Sequence, residues 1–294
     1  MDNNTSDLNA FAKELKSIFQ QKLTENDFFK SGIIKKDDEI KLTGNETVNI
    51  PGIKIEKSDA ISSDPNMEIY KTKVKENGLA KVHKKGIIYD VSPIKKSDRE
   101  IFFADKKNTI TEMLVTDWSN IFSAIIKQSL EGIFKLDGMK DSFYDQSSNV
   151  LDDNMMIQFL GDKYMAIEYI VCHSNVVCKL IGSDKLVHQS EPYYDGKRII
   201  VNDAFNADET GVYPIYFLGK GAFVYNEDLN LFNIKCEECG NKIISSRVFV
   251  LHPLGFNWKE TNGEPADCAN RQIEFELVSN RKDVKIALLK ARIG

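Results

Sequence analysis

Four groups of residues in this chain have types and spacing that could do chemistry. The first is Cys236-Glu237-Glu238-Cys239. A C-x-x-C turn offers two thiolates to one metal ion, and zinc asks for about four ligands; His252 and Cys268 are the side chains that could complete the set. No second paired motif accompanies it, and His252 falls inside an apolar strand pattern. An unliganded, reduced pair is therefore the favoured expectation, with a zinc or thiol centre on Cys236 and Cys239 as the alternative. The second group is His173-Ser174, by type half of a nucleophilic dyad. Neighbours on a strand point to opposite faces, and no G-x-S-x-G elbow surrounds the serine. Ser174 is expected instead to cap a helix beside a core histidine. The third, Gly219-Lys220-Gly221, lacks the rest of a phosphate-loop pattern and is expected to be a turn that uses positive φ. The fourth, the acidic pairs Asp152-Asp153 and Glu227-Asp228, has no spacing that separates a general acid from a base. No catalytic, cofactor-binding or metal-ligating residue is assigned, no cofactor is expected, and the chain is not expected to be an enzyme.

The bulk of the chain points the same way. Its 294 residues are 42% hydrophobic and 28% charged, ordinary for a folded protein. No run of about 18 apolar residues suggests a membrane span. The N-terminus has no basic-then-apolar leader pattern, so the chain is expected to stay in the compartment where it is made. Five cysteines, an odd number, argue for reduced thiols rather than a disulfide framework. A net charge of −5 excludes a dedicated nucleic-acid binder with a dominant basic face. The distribution is uneven. Residues 71–107 carry 11 Lys/Arg against 5 Asp/Glu, a balance of +6, while residues 137–240 carry 8 against 17, a balance of −9. Both stretches could be solvated faces; alternatively, the basic segment of one copy lies on the acidic segment of another.

Hydrophobic periodicity supplies the elements. Residues 6–23 read as an amphipathic helix with Ser6 as N-cap and a stripe through Leu8, Phe11, Leu15, Ile18, Phe19 and Leu23, which must bury itself in the chain's own core or on a neighbour. Residues 28–57 read as an extended arm with short strands. Residues 67–92 alternate, and Asn77-Gly78 is a strong turn signal, so a long, basic, two-stranded excursion is expected there. At 109–136 a capping box, Thr109 to Glu112, opens a helix of about 25 residues, roughly 38 Å long. Its stripe runs through Leu114, Trp118, Ile121, Phe122, Ile125, Ser129, Leu130 and Ile133, and Asp137-Gly138 ends it. A surface loop follows at 139–152 and a short helix at 153–164. Beyond these lie strands at 167–171, 199–201, 212–217, 222–225, 231–251 and 272–293. The class is α+β, with no internal repeat.

Five segments in order carry a resemblance. They are Asp117-Trp118 with Leu130-Glu131-Gly132-Ile133-Phe134; Leu160-Gly161-Asp162 with Ile170-Val171-Cys172-His173-Ser174; Tyr194-Asp195-Gly196-Lys197-Arg198-Ile199-Ile200-Val201-Asn202-Asp203; Gly219-Lys220-Gly221-Ala222-Phe223; and Leu251-His252-Pro253-Leu254-Gly255-Phe256. Over roughly residues 109–258 they resemble the tailed-bacteriophage major capsid (coat) proteins with the Hong Kong 97-like fold. One departure is Cys236-Glu237-Glu238-Cys239, where relatives often carry an acidic/arginine pattern. Lys–Asn cross-links, which some members form, have no geometric basis in this sequence. The resemblance implies an N-terminal arm (1–57), an extended hairpin or E-loop (58–108), a peripheral domain with a spine helix (109–150), a mainly axial domain (151–262) and returning C-terminal strands (263–294). It implies a protein that self-assembles, as hexamers and pentamers, into the icosahedral head shell of a tailed double-stranded DNA phage or prophage. Such a shell forms in the bacterial host cytoplasm, with scaffold, portal and decoration proteins as possible partners. It encloses DNA without sequence-specific binding and involves no membrane. A nanocompartment shell of the same fold is the nearest alternative.

Overall fold

The computed structural model describes residues 3–42, 47–57, 70–90, 99–152, 155–158, 160–181, 183–187, 191–237, 240–259, 274–278 and 283–293. The long helix organises it. This helix, α3 (Arg99–Ile133), has 35 residues, roughly 52 Å at 1.5 Å per residue. It starts ten residues before Thr109, so the capping box is interior helix. There Thr111 and Thr116 donate their hydroxyls back to the carbonyls of Lys107 and Glu112, at 2.9 and 2.8 Å, the usual satisfaction of a mid-helix threonine. The expected stripe is present: Leu114, Trp118, Phe122, Ile125, Leu130 and Ile133 are all buried. The helix ends at Ile133, and Asp137-Gly138 opens a 3₁₀ turn, Asp137–Ser142, rather than closing α3.

Helix α1 (Asn3–Thr24) contains Ser6 rather than starting at it. It packs on α3 through Phe19 and Leu23, which settles the stripe's destination for those two residues as the chain's own core. A short α2 (Asp27–Lys30) follows, capped by Asn26, whose Oδ1 accepts from the Phe28 N–H at 3.0 Å and whose Nδ2 donates to Ser119 of α3, also at 3.0 Å.

Strands β1 (Ile34–Lys36), β2 (Thr47–Lys57), β3 (Tyr70–Asp90), β10 (Phe223–Glu237) and β11 (Gly240–Pro253) form one sheet in the order β1-β10-β11-β3-β2. Strand β3 runs unbroken through Asn77-Gly78, so the turn expected there does not form. Its hairpin partner is β2, within the stretch read as arm. Gly78 stands opposite Ile50, where the β2 register shifts past Pro51. Proline lacks the ladder N–H and is tolerated at such an irregularity. Strand β3 pairs with β11 from Val82 to Asp90 and with β2 from Tyr70 to Lys81.

A second sheet holds β4 (Phe143–Val150), β5 (Tyr169–Cys172), β6 (Leu186–Val187), β7 (Tyr193–Tyr194), β8 (Lys197–Val201), β9 (Val212–Leu218) and β14 (Ile286–Arg292), ordered β4-β14-β9-β5-β8-β7-β6. The surface loop expected at 139–152 is therefore largely strand. β4 is polar because it is an edge, held by a parallel ladder to β14, and tertiary pairing overrides its weak propensity. Both faces of this sheet are covered. Tyr169, Val171, Ile200, Tyr216, Leu218 and Leu288 face the core around α3. Ile170, Cys172, Ile199, Ile215, Phe217 and Leu289 face a second core with α4 (Met155–Gln158) and α5 (Ser174–Leu180). Burial on both sides explains the apolar runs, which lack a two-residue alternation. Finally β12 (Phe256–Lys259) pairs with β13 (Glu274–Leu277).

The two large sheets meet at Gly219-Lys220-Gly221, the turn between β9 and β10. A Cβ on Gly219 would lie 2.2 Å from the Ala166 carbonyl oxygen, and Gly221 has φ +68°, so each glycine is required for a different reason.

Candidate assembly surface

None of the four chemical groups assembles into a reactive site among the described residues. In the His173-Ser174 pair, the cap of α5 is His173 rather than Ser174. His173 Nδ1 accepts from the Asn175 N–H at 3.0 Å. Ser174 Oγ lies 3.4 Å from the same nitrogen, but that lone pair is already committed to the helix. Ser174 gives its backbone N–H to Asp203 Oδ1 at 2.9 Å, and its backbone and hydroxyl together hold the Asp203 carboxyl below its ordinary range. Cys172, just before the pair, is buried, and desolvation pushes its thiol up to about 12, far from reactive.

The metal set also comes apart. Cys236 pairs with Asn241 near the tip of the β10–β11 hairpin, while His252 pairs with Val224 near its base. The twelve residue steps from Val224 to Cys236 span about 40 Å at 3.3 Å per residue. His252 cannot join a centre on Cys236; Cys239 and Cys268 lie outside the described residues. His252 is otherwise engaged. Its Nε2–H donates to the Phe256 carbonyl at 2.8 Å, closing the turn at Leu254-Gly255, and burial lowers its pKa to about 4. Asp153 and the side chain of Asp228 are likewise outside the described set, and Glu227 serves an ion pair with Arg247 at 2.9 Å.

The motif residues turn out to be joints. Trp118 Nε1 donates to Ser245 Oγ of β11 at 3.0 Å, and Asp117 accepts from the Tyr89 hydroxyl of β3, stitching α3 to the five-stranded sheet. Asn202 Nδ2 donates to Ser123 of α3 at 2.8 Å, and Lys127 donates to the Ala204 carbonyl at 2.8 Å. The end of β8 is thus bound to α3, and through Asp203 to α5. Asp195 (φ 48°) and Gly196 (φ 75°) make the two-residue turn between β7 and β8, a geometry that suits Asp-Gly. Lys197 was not singled out by its chemistry. It is 4% exposed and donates to the carbonyls of Tyr164 and Ile167, each at 2.7 Å, with its ammonium 3.7 Å from the Tyr164 ring centre. Burial lowers its pKa, against the opposing pull of Asp195 and Glu168. A lysine between a turn glycine and an apolar strand was its one sequence signal.

What remains is surface suited to contacts with other copies. Along β3, Lys84 and Lys85 are exposed and Ile88 is 63% exposed. The outer stretch of β3, from Tyr70 to Lys81, is paired in the sheet with β2 alone among the described strands. A two-stranded ribbon is marginal by itself in water. No helix among the described residues is long and apolar enough to cross a membrane.

This arrangement, a long helix across a five-stranded and a seven-stranded sheet with an extended basic hairpin, is the fold of phage capsid proteins. The satellite phage P4 procapsid, including its size determination (Sid) protein, matches over 100% of this chain and 99% of its own, at 9% identity and TM-score 0.53. Gordonia phage Cozz matches over 88% and 84%, at 12% identity and TM-score 0.50. By sequence, the chain is similar to the major capsid protein of Bacillus phage SPP1, 26% identical over 90% of this chain and 91% of that protein. No protein-family model matches the chain. The resemblance first carried by five short motifs thus holds for the fold, and for sequence along nearly the whole chain.

Proposed function

We propose that this chain is the major capsid protein of a tailed double-stranded DNA phage or prophage and builds the icosahedral shell of its head. The observation that carries this reading is the end-to-end sequence similarity to a phage major capsid protein together with the capsid fold. The motif residues being joints between elements, rather than reagents, supports a structural role and not an enzymatic one. A phage relative favours a head shell over a nanocompartment.

In this proposal the arm, hairpin, spine-helix and axial segments divide the work as expected at 1–57, 58–108, 109–150 and 151–262, with strands returning after 263. The pairing of β2 with β3 supports one adjustment, in which the hairpin begins at Thr47. The +6 balance of 71–107 lies on the −9 balance of 137–240 of a neighbour within hexamers and pentamers, where opposite charge sets register. Net negative charge keeps the shell from holding packaged DNA tightly. Scaffold, portal and decoration proteins are its partners, and assembly takes place in the host cytoplasm. The test is assembly of the purified chain, alone and co-expressed with a scaffold, followed by sedimentation and negative-stain imaging. Rings or shells are expected; a monomer that persists under every assembly condition removes the proposal.

A further inference from the structure

Strand β3 changes partners along its length. It is paired with β11 from Val82 to Asp90 and with β2 from Tyr70 to Lys81. β11 parts from β3 beyond the Val250–Val82 pair but stays on β10 as far as Pro253. A strand that loses its neighbour has an open edge of N–H and C=O groups, and a lone two-stranded ribbon is marginal in water. At this hand-over the β2–β3 hairpin is either held to the body or free to swing.

A strut from β12 meets β3 there. The Leu79 N–H, three residues beyond the last β11 pair, donates to Oδ1 of Asn257 at 3.1 Å, across 178 positions of sequence. A side chain of β12 thus supplies an acceptor where β11 no longer offers one. The Lys81 ammonium lies 5.8 Å from the ring centre of Trp258, within reach of a cation–π contact. Asn257 is itself firmly seated. Phe256 and Trp258 on either side of it are buried, and all three residues pair with β13. His252 holds the Phe256 carbonyl, which belongs to the peptide bond leading into Asn257. The hairpin root is packed as well: Ala80 and Val82 close a small core with Val48, Ile50, Val224 and Val250. One residue beyond Leu79 the ladder becomes irregular, stepping from Ile50–Gly78 to Gly52–Lys75 past Pro51. Asn257 therefore binds the hairpin at the inner border of that irregularity.

We propose that Asn257 is a positioning residue, which fixes the direction in which the β2–β3 hairpin leaves the five-stranded sheet and so presents it pre-organised to a second copy of the chain. The consequence for assembly rests on the shell-subunit reading above; the hold on the hairpin does not. The test uses the full chain and two variants. Asn257→Leu removes the acceptor at similar side-chain size, and Asn257→Asp keeps a side-chain oxygen. Native-state amide exchange of the unassembled subunit is read first. Asn257→Leu should speed exchange roughly tenfold at Leu79 and along residues 47–50, with residues 82–89, held by β11, unchanged. Asn257→Asp should exchange as wild type does. Unchanged exchange at Leu79 in Asn257→Leu overturns the proposal. So does faster exchange spread evenly over β3, β10 and β11, which would be general destabilisation, and so does an Asn257→Asp variant that behaves as Asn257→Leu. Assembly against subunit concentration, followed by light scattering, is the second readout. Asn257→Leu should need roughly fivefold more subunit than wild type, and Asn257→Asp no more than wild type. A loosened hairpin that assembles at the wild-type concentration overturns the positioning role. Wild-type subunits that never form rings or shells remove the shell reading alone, and the exchange pattern still decides whether Asn257 holds the hairpin.

Discussion

The two large sheets solve the problem of burial differently. The seven-stranded sheet is largely apolar on both faces, and its buried Lys197 has two carbonyl partners and a ring. The five-stranded sheet buries Ser245, Arg247 and His252 of β11, with His83 of β3 stacked on Phe249. The first is a closed structural body. The second keeps ionisable groups inside, and its fit to α1 and α3 depends on hydrogen bonds and aromatic faces as well as on apolar area. Condition-dependent behaviour should therefore begin in the five-stranded sheet.

The largest effect should come from the side chain that ties that sheet to α3. Trp118 is fully buried, donates to Ser245, and packs on Phe122, Phe249 and the Arg247 guanidinium. Trp118→Ala is expected to cost about 3–5 kcal/mol in denaturant unfolding, leaving the Ser245 hydroxyl and one face of Arg247 without partners. Trp118→Phe should keep most of the packing and lose about 1–2 kcal/mol, mainly the buried hydrogen bond. A Trp118→Phe variant as stable as wild type would mean that the tie is purely apolar.

Acidification is the next lever. Burial holds both interior imidazoles neutral, His83 at about 3, with Lys81 and Lys85 adding to the shift, and His252 at about 4, from an ordinary 6.5. The unfolded chain takes up protons on these histidines below pH 6.5, whereas the folded chain does not until far lower. Their contribution is thus fully present above pH 6.5 and is lost as pH falls toward 4. At about 1.36 kcal/mol per pKa unit, His252 alone accounts for roughly 3 kcal/mol. Denaturant midpoints at pH 7.5, 5.5 and 4.5 should fall more steeply for wild type than for His252→Gln. Hydrogen exchange at low pH should reach β3, β10 and β11 before β5, β8 and β9; the reverse order would break the contrast between the sheets.

What the sequence made legible follows the same division. The α3 stripe, the Asp195-Gly196 turn and the Gly219–Gly221 turn could be read because local chemistry and tertiary structure agree there. The first ten residues of α3 were hidden because a Thr-x-x-Glu spacing also occurs inside helices, where threonine bonds back to a carbonyl. The Asn77-Gly78 signal was overridden by long-range pairing, since β3 is held by β2 and β11 across it. β4 was unreadable because nothing in its polar residues announces an edge place beside β14. The motifs could be recognised in order, but not their work: Asn202 bonding to Ser123, or Trp118 to Ser245, joins residues 79 and 127 positions apart.

A matched pair of substitutions sharpens the comparison further. Lys197→Met keeps length and removes two hydrogen bonds from buried carbonyls, so a loss of about 2 kcal/mol is expected. Its opening should be confined in hydrogen exchange to β5, β8 and the 3₁₀ turn Gly161–Ala166. Arg247→Met removes a cation whose fork, Nε and Nη2, has no hydrogen-bond partner among the described residues, and Glu227, about a quarter exposed, can return to water. The stability cost of that change in the unassembled subunit should be below about 1 kcal/mol, since replacing incompletely bonded buried charge is often near neutral. A larger loss for Arg247→Met than for Lys197→Met would show that the ion pair and ring contacts of Arg247 hold the five-stranded sheet more firmly than an unsatisfied fork suggests.

The smallest expected effect separates capping from chemistry at the edge of the seven-stranded sheet. His173 Nδ1 satisfies the Asn175 N–H at the start of α5, so His173→Ala should cost about 1 kcal/mol, the usual worth of an N-cap bond. His173→Asn, whose side-chain oxygen caps equally well, should recover most of it. Ser174→Ala loses only a hydroxyl contact to the exposed Asp203 and should change stability by less than about 0.5 kcal/mol. A capping role makes the histidine matter and the serine nearly silent, with asparagine rescuing. A dyad would make both substitutions equally damaging to some measured reaction, and asparagine, which cannot act as a base, would rescue nothing. Because the Nδ1 lone pair is held by the helix and the Ser174 hydroxyl by Asp203, the capping pattern is the one this geometry requires.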